Sequence, residues 1–141
     1  MNDTNEMTAF DFGNGPVPAH RHPNGGGWVA DTATVSETAY VGPDAEVYDN
    51  AEVYDNARVT GYAKVSGNAE VSDYARVSDY AWVSGNAWVT GDAWVSDNAR
   101  VYGNAKVYDN AMVYDNARVY NNARVYDYAW VTGNARVTGN E

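Results

Sequence analysis

Ala45-Glu-Val-Tyr-Asp-Asn50 is followed by Ala51-Glu-Val-Tyr-Asp-Asn56 and then by Ala57-Arg-Val-Thr-Gly-Tyr62, three consecutive six-residue blocks of one design. Working outward from Gly27, the blocks run without insertion or deletion to Asn140, nineteen in all, and eighteen of them begin with Ala. Val occupies the third position of every block from Val29 to Val137. Alternation of Ala, x, Val, y has period two, so Ala and Val share one side of a short strand and the intervening residues share the other. The Asp/Gly-Asn pair that follows is turn chemistry: Gly and Asn tolerate positive φ, and Asp and Asn side chains bond nearby backbone groups. Each block therefore reads as one strand plus one corner, and the chain as all-β.

The number of blocks per coil follows from which residues repeat at long range. At a spacing of 18 the last block position reads Asn50, Asn68, Asn86, Asn104, Asn122 and Asn140, an unbroken corner ladder. Three blocks per coil make a triangular solenoid of about six coils, roughly 30 Å long at ~4.8 Å between stacked strands. Trp82, Trp88 and Trp94 then fall one per face in one coil, and Tyr102, Tyr108 and Tyr114 one per face in the next. The composition suits such a stack. The 141 residues contain no Leu, Ile, Gln or Cys, so a mixed globular core is excluded and Val on Val, with Ala near the corners, is left to form the interior. Residues 27–141 are read as the solenoid and residues 1–26 as an irregular N-terminal cap. Phe10, Phe12 and Val17 are expected to fold over the first coil, Met1 to Met7 to be loose, and the last strand to lack a covering element.

The pattern aliphatic-x-x-x-small-x, as in Val47-Tyr-Asp-Asn-Ala51-Glu, resembles the hexapeptide repeat of left-handed parallel β-helix proteins. Left-handed winding is implied by that resemblance and not by periodicity. The lead-in Gly25-Gly26-Gly27-Trp28-Val29 is similar to that of phage-encoded and bacterial hexapeptide-repeat proteins. Many hexapeptide proteins are acyltransferases that use a His base at a subunit interface and a loop projecting from the helix. Here the coils carry no insertion and no His after His22, so no catalytic residue is expected.

Charge and hydropathy narrow the function classes. The net charge of −10 argues against a general nucleic-acid binder. Residues 1–56 contribute ten acids and one base (−9), and residues 57–141 nine acids and eight bases (−1), so the charge is concentrated in the first part. No apolar run approaches the ~20 residues of a membrane helix, and Met1 to Glu6 do not begin a secretory signal, which leaves a cytoplasmic or virion-associated location as the expectation.

The candidate sites are few. His20 and His22, two apart in an extended segment, would project to one side and could hold a divalent metal with Asp11; otherwise they are hydrogen-bonding residues of the cap, and no other cofactor is expected. Asp79, Asp97 and Asp115, with the pairs Asp55/Asp73 and Asp109/Asp127, stack at 18-residue spacing. They could take Ca²⁺ or cap their own turns. The outward Trp82, Trp88, Trp94, Tyr102, Tyr108, Tyr114 and Trp130 form the expected association surface, with cations beside them. The resulting reading is a non-catalytic structural module that self-associates, as a lateral trimer or a head-to-tail filament, plausibly attached to a phage or other particle. The alternatives are a carbohydrate- or partner-binding spike using the Tyr/Trp faces, and a degenerate member of the acyltransferase superfamily.

Overall fold

The structure is a computed structural model that describes residues 8–139. Among them there is no helix. From Thr34–Val35 to Arg136–Val137 a two-residue strand recurs every six residues, each made of the second and third block positions. Three parallel sheets result, and in each the strands in contact are 18 residues apart, as in the pairs Glu52↔Glu70 and Val53↔Val71. The chain is a parallel β-solenoid of about six coils, three strands to a coil, as the Asn ladder implied.

The first face holds Trp28, Glu46, Lys64, Trp82, Arg100, Arg118 and Arg136 as outward residues. The second holds Thr34, Glu52, Glu70, Trp88, Lys106 and Arg124. The third holds Tyr40, Arg58, Arg76, Trp94, Met112 and Trp130. Inside, Val41 to Val119 and Ala39 to Ala123 at their block positions are fully buried. Each Val lies on the Val one coil away, so the interior is three columns of one side chain, each burial stabilising by roughly 1.5–3 kcal/mol. At the C-terminal side Ala129 and Ala135 are exposed and Val137 is partly so.

The corners correct one detail of the sequence reading. Positive φ falls on the fifth block position, at Asp49 (59°), Asp97 (59°) and Asp115 (63°) among others, and not on the Asn that follows. Each corner is closed by a bond from the next block's Ala N–H to the fourth-position carbonyl, as from Ala51 to Tyr48 (3.3 Å).

The N-terminal segment is also different from the expectation. It is not irregular: β1 (Ala9–Asp11) and β2 (Pro16–Arg21) form an antiparallel hairpin that joins β3 (Trp28–Ala30), so the first face gains two antiparallel strands at its end. Phe10 stacks on Trp28 (4.8 Å between centroids) and Phe12 on Tyr48 (4.8 Å), passing over the small buried Ala19. Two of the three expected residues thus cover the outside of the first face, whereas Val17 is 40% exposed. The interior is closed by His22, 4% exposed, whose Nε2 meets the Ala39 carbonyl at 2.9 Å beside the Asn24 amide at 3.0 Å. The glycine lead-in then runs along the edge of the third face, Gly27 N–H donating to the Val41 carbonyl (3.0 Å). A Cβ on Gly25, whose φ is +115°, would lie 2.1 Å from that same oxygen, which is why the segment is glycine. Met1 to Met7, Asn140 and Glu141 lie outside the described residues.

The inward and outward positions of one strand differ sharply in tolerance. Val83→Asp places an unpaired carboxylate in a dry stack and should abolish folding, whereas its neighbour Ser84→Asp, on the outer side, should keep a cooperative melt. Circular dichroism melts with similar losses for both would refute the assignment of sides.

Candidate functional site

The three residues proposed as metal ligands have separate duties. His22 is in the end plug. His20 lies on the surface, with its Nδ1 2.7 Å from Asp31 Oδ1, the one salt bridge among the described residues. Asp11 Oδ1 accepts from the N–H groups of Gly13 (2.7 Å) and Gly15 (3.0 Å) and so shapes the hairpin turn. The structure does not bring the three together, and no cluster of three or more His, Cys, Asp or Glu side chains suited to a metal occurs among the described residues.

The stacked aspartates have a use that neither sequence alternative named. Asp97 Oδ2 accepts from the N–H of Asp115, one coil further on, at 3.0 Å; Asp79 does the same for Asp97 (3.2 Å) and Asp115 for Gly133 (3.0 Å). Asp55 and Asp109 bond Asp73 and Asp127 in the same way. Each carboxylate caps the next coil's corner, not its own. This explains the choice between Asp and Gly at the position. Gly takes the positive φ without strain; Asp bears the strain but supplies an acceptor to an N–H that would otherwise face water. Within the Asn ladder only Asn86 and Asn104 bond through their side chains (3.4 Å), and Asn140 falls outside the described residues.

The aromatic belt lies on the surface as expected. Trp82, Trp88 and Trp94 are exposed to nearly the same extent, 40, 41 and 40%. A cation from an adjacent coil covers each ring: Arg100 at 4.9 Å and Lys64 at 5.4 Å for Trp82, Lys106 at 4.6 Å for Trp88, Arg76 at 5.0 Å for Trp94. Such pairs contribute about 0.5–1 kcal/mol each at exposed sites, and they fix the indole orientation. Tyr102 and Tyr108 are half-buried, stacked on Tyr120 (5.1 Å) and Tyr126 (5.5 Å), and Tyr114 packs edge-on against Trp130. Trp130 itself is 67% exposed. The sequence reading missed the corner tyrosines Tyr62, Tyr74, Tyr80 and Tyr128, all more exposed than the tryptophan belt. Their signal was present at the sixth block position, which had been read only for its repeat.

Two hollows flank the hairpin, neither foreseen. One of about 210 Å³ is lined by Phe12, Val17, Tyr48 and Asp49. The other, about 330 Å³, is lined by Phe10, Arg21, Trp28, Glu46 and Tyr62. Glu46 Oε1 is buried without a hydrogen-bond partner. Burial raises the Glu46 carboxyl above its ordinary value, against the opposing attraction of Lys64. Burial likewise pushes up the Tyr48 and Tyr54 hydroxyls. On the second face a shallower hollow of about 300 Å³ is lined by Trp88, Thr90, Lys106, Tyr108 and Arg124.

Four segments of the chain, residues 51–67, 93–107, 105–119 and 117–133, match the family model described as the YdcK Beta solenoid repeat. The matched segments together make up less than half of the chain, and they are similar to that repeat in the same coils that the structure shows as stacked strands. No curated protein and no solved structure matches the chain.

Two measurements probe these sites. Asp97→Ala keeps a Cβ at positive φ and strips the Asp115 N–H of its acceptor, so it should cost about 1–3 kcal/mol; Asp97→Gly relieves the first penalty and should cost less. Equal losses in denaturant melts would show that the carboxylate does not bridge coils. For Glu46, the raised folded value means that the protonated form is favoured by folding. Its contribution is fully present below the unfolded value of ~4.3 and is lost as pH rises through the folded one. Glu46→Gln should therefore melt above the wild type at neutral pH, with the gap closing on acidification; a gap that widens at low pH would be the contrary result.

Proposed function

We propose that the chain is a non-catalytic structural module, a stiff β-solenoid that self-associates side by side through its flat faces. One observation carries this reading. Three tryptophans stand at the same level, one per face, equally exposed and held by cations from adjacent coils. An indole fixed in orientation loses little freedom when a partner covers it, and Trp is enriched where protein surfaces meet. The other outward residues support the same view. Tyr74 and Tyr128 at the corners are 63 and 78% exposed, a large aromatic area for a surface that water alone would cover.

The non-catalytic part of the reading rests on the absence of His and Cys beyond residue 22 and on the engagement of His20, His22 and Asp11 in the cap. A phage-derived or other particle is the setting that the hexapeptide-repeat resemblance suggests for such a rod.

A second reading, a spike that binds carbohydrate, is favoured by the hollow on the second face. There Trp88 and Tyr108 offer ring surfaces and Thr90, Lys106 and Arg124 offer polar groups, the combination that a sugar's apolar face and hydroxyls require.

Sedimentation velocity over a concentration series decides for or against self-association. The wild type should show a mass above 15.4 kDa that rises with concentration. Replacing Trp82, Trp88 and Trp94 by Thr should return it to the monomer with the melt preserved. A wild type that stays monomeric at high concentration would overturn the proposal.

A further inference from the structure

The three faces differ in how their charges are ordered along the rod, and only the second complements itself. Read from the N-terminal side, its outward column is Glu52, Glu70, Trp88, Lys106, Arg124. Two acids lie on one side of Trp88 and two bases on the other, at matching distances of one and two coils. We infer that two copies of the chain dock antiparallel through this second face, Trp88 on Trp88, with Glu70 opposite Lys106 and Glu52 opposite Arg124 in both directions.

The inference rests on the self-association reading above and adds which face is used and in which orientation. A two-fold axis lying in the interface along the strand direction reverses the rod axis and keeps each column opposite itself. It therefore maps the acidic half of one rod onto the basic half of the other. The neighbouring column, at the fourth block position, obeys the same operation: Ser72, 4% exposed, comes opposite the larger Tyr108.

Within one rod these charges gain nothing from each other. Glu52 and Glu70 are registered neighbours in the sheet, as are Lys106 and Arg124, so like charges stand about 4.8 Å apart on both halves. None of the four forms a salt bridge within the described residues. Lys106 is held over the Trp88 ring and Glu70 accepts from the Tyr54 hydroxyl at 3.1 Å, so both are fixed in place without being neutralised. An antiparallel copy supplies the opposite charge to all four at once. The other faces do not. About Trp82 the first face would set Lys64 against Arg100, and about Trp94 the third would set Arg76 against Met112.

The face is small. Six strands at ~4.8 Å and one block of roughly 15 Å give on the order of 400 Å² per partner, about half of a standard interface, so the pair is weak and strongly sensitive to salt.

The test exchanges charges. At high micromolar concentration and low ionic strength the wild type should sediment as a dimer that dissociates when salt is added. Glu52→Lys with Glu70→Lys makes the column basic throughout; Lys106→Glu with Arg124→Glu makes it acidic throughout. Each double variant alone should be monomeric, and the two mixed should form a one-to-one dimer. Arg100→Glu with Arg118→Glu, on the first face, should leave the wild-type dimer intact, and circular dichroism melts verify that each variant is folded. Oligomers that persist in both double variants would overturn the antiparallel pairing while leaving self-association standing. A mixture that fails to pair would also overturn it, and a wild type monomeric at low salt would remove both readings.

Discussion

Every outward and inward choice in this chain depends on a hydrogen-bond register of 18 residues. Glu52 N–H finds the Ala69 carbonyl and Tyr54 N–H the Val71 carbonyl, and the same offset holds coil after coil to Tyr120 and Val137. A slip of one residue would turn each Val outward and each charged residue inward, so the ladder and the columns of buried Val specify each other. A sheet this narrow, with two residues per strand, has little intrinsic stability. It persists because each coil is clamped between two others, and the stability of the whole is a sum of contacts between nearest neighbours. That explains the composition: Leu and Ile, too large for a column in which every layer must be alike, are absent.

With the interior fixed, the outer positions are free to carry difference, and the faces use that freedom unequally. Acids lie mainly in the first coils and cations in the last, while one coil carries Trp on all three sides. A uniform scaffold thus displays a patterned surface, and the proposed function is a statement about that pattern. The hollows beside the hairpin are of another kind, because they arise where the regular coils meet the strands of the N-terminal segment.

The regular part of the molecule was legible because its signal is periodic. Val and Ala at fixed block positions give the sides, and Asn50 to Asn122 give the coil length. What could not be read depended on neighbours that no periodicity names. The hairpin is held by Phe10 and Phe12 reaching Trp28 and Tyr48, contacts between a segment outside the repeat and the first coils. His20 and His22 share a parity that suggested a common ligand. One instead meets a backbone carbonyl at the end of the stack and the other a surface carboxylate. The Trp belt was placed correctly on the surface, whereas the corner tyrosines were passed over because their position had been assigned to turn geometry.

The carboxylate ladder at the corners has a direction. Asp79 serves Asp97, Asp97 serves Asp115 and Asp115 serves Gly133, always from the earlier coil to the later one. During synthesis the N-terminal coils leave the ribosome first, and each finished corner presents an acceptor toward chain that has not yet emerged. At elongation rates of roughly 5–20 residues per second a new coil becomes available about every 1–4 s, slow beside the microseconds of short-strand docking. The rod thus lengthens on its own nascent template, with the hairpin end already sealed and a single growing edge for chaperones to guard.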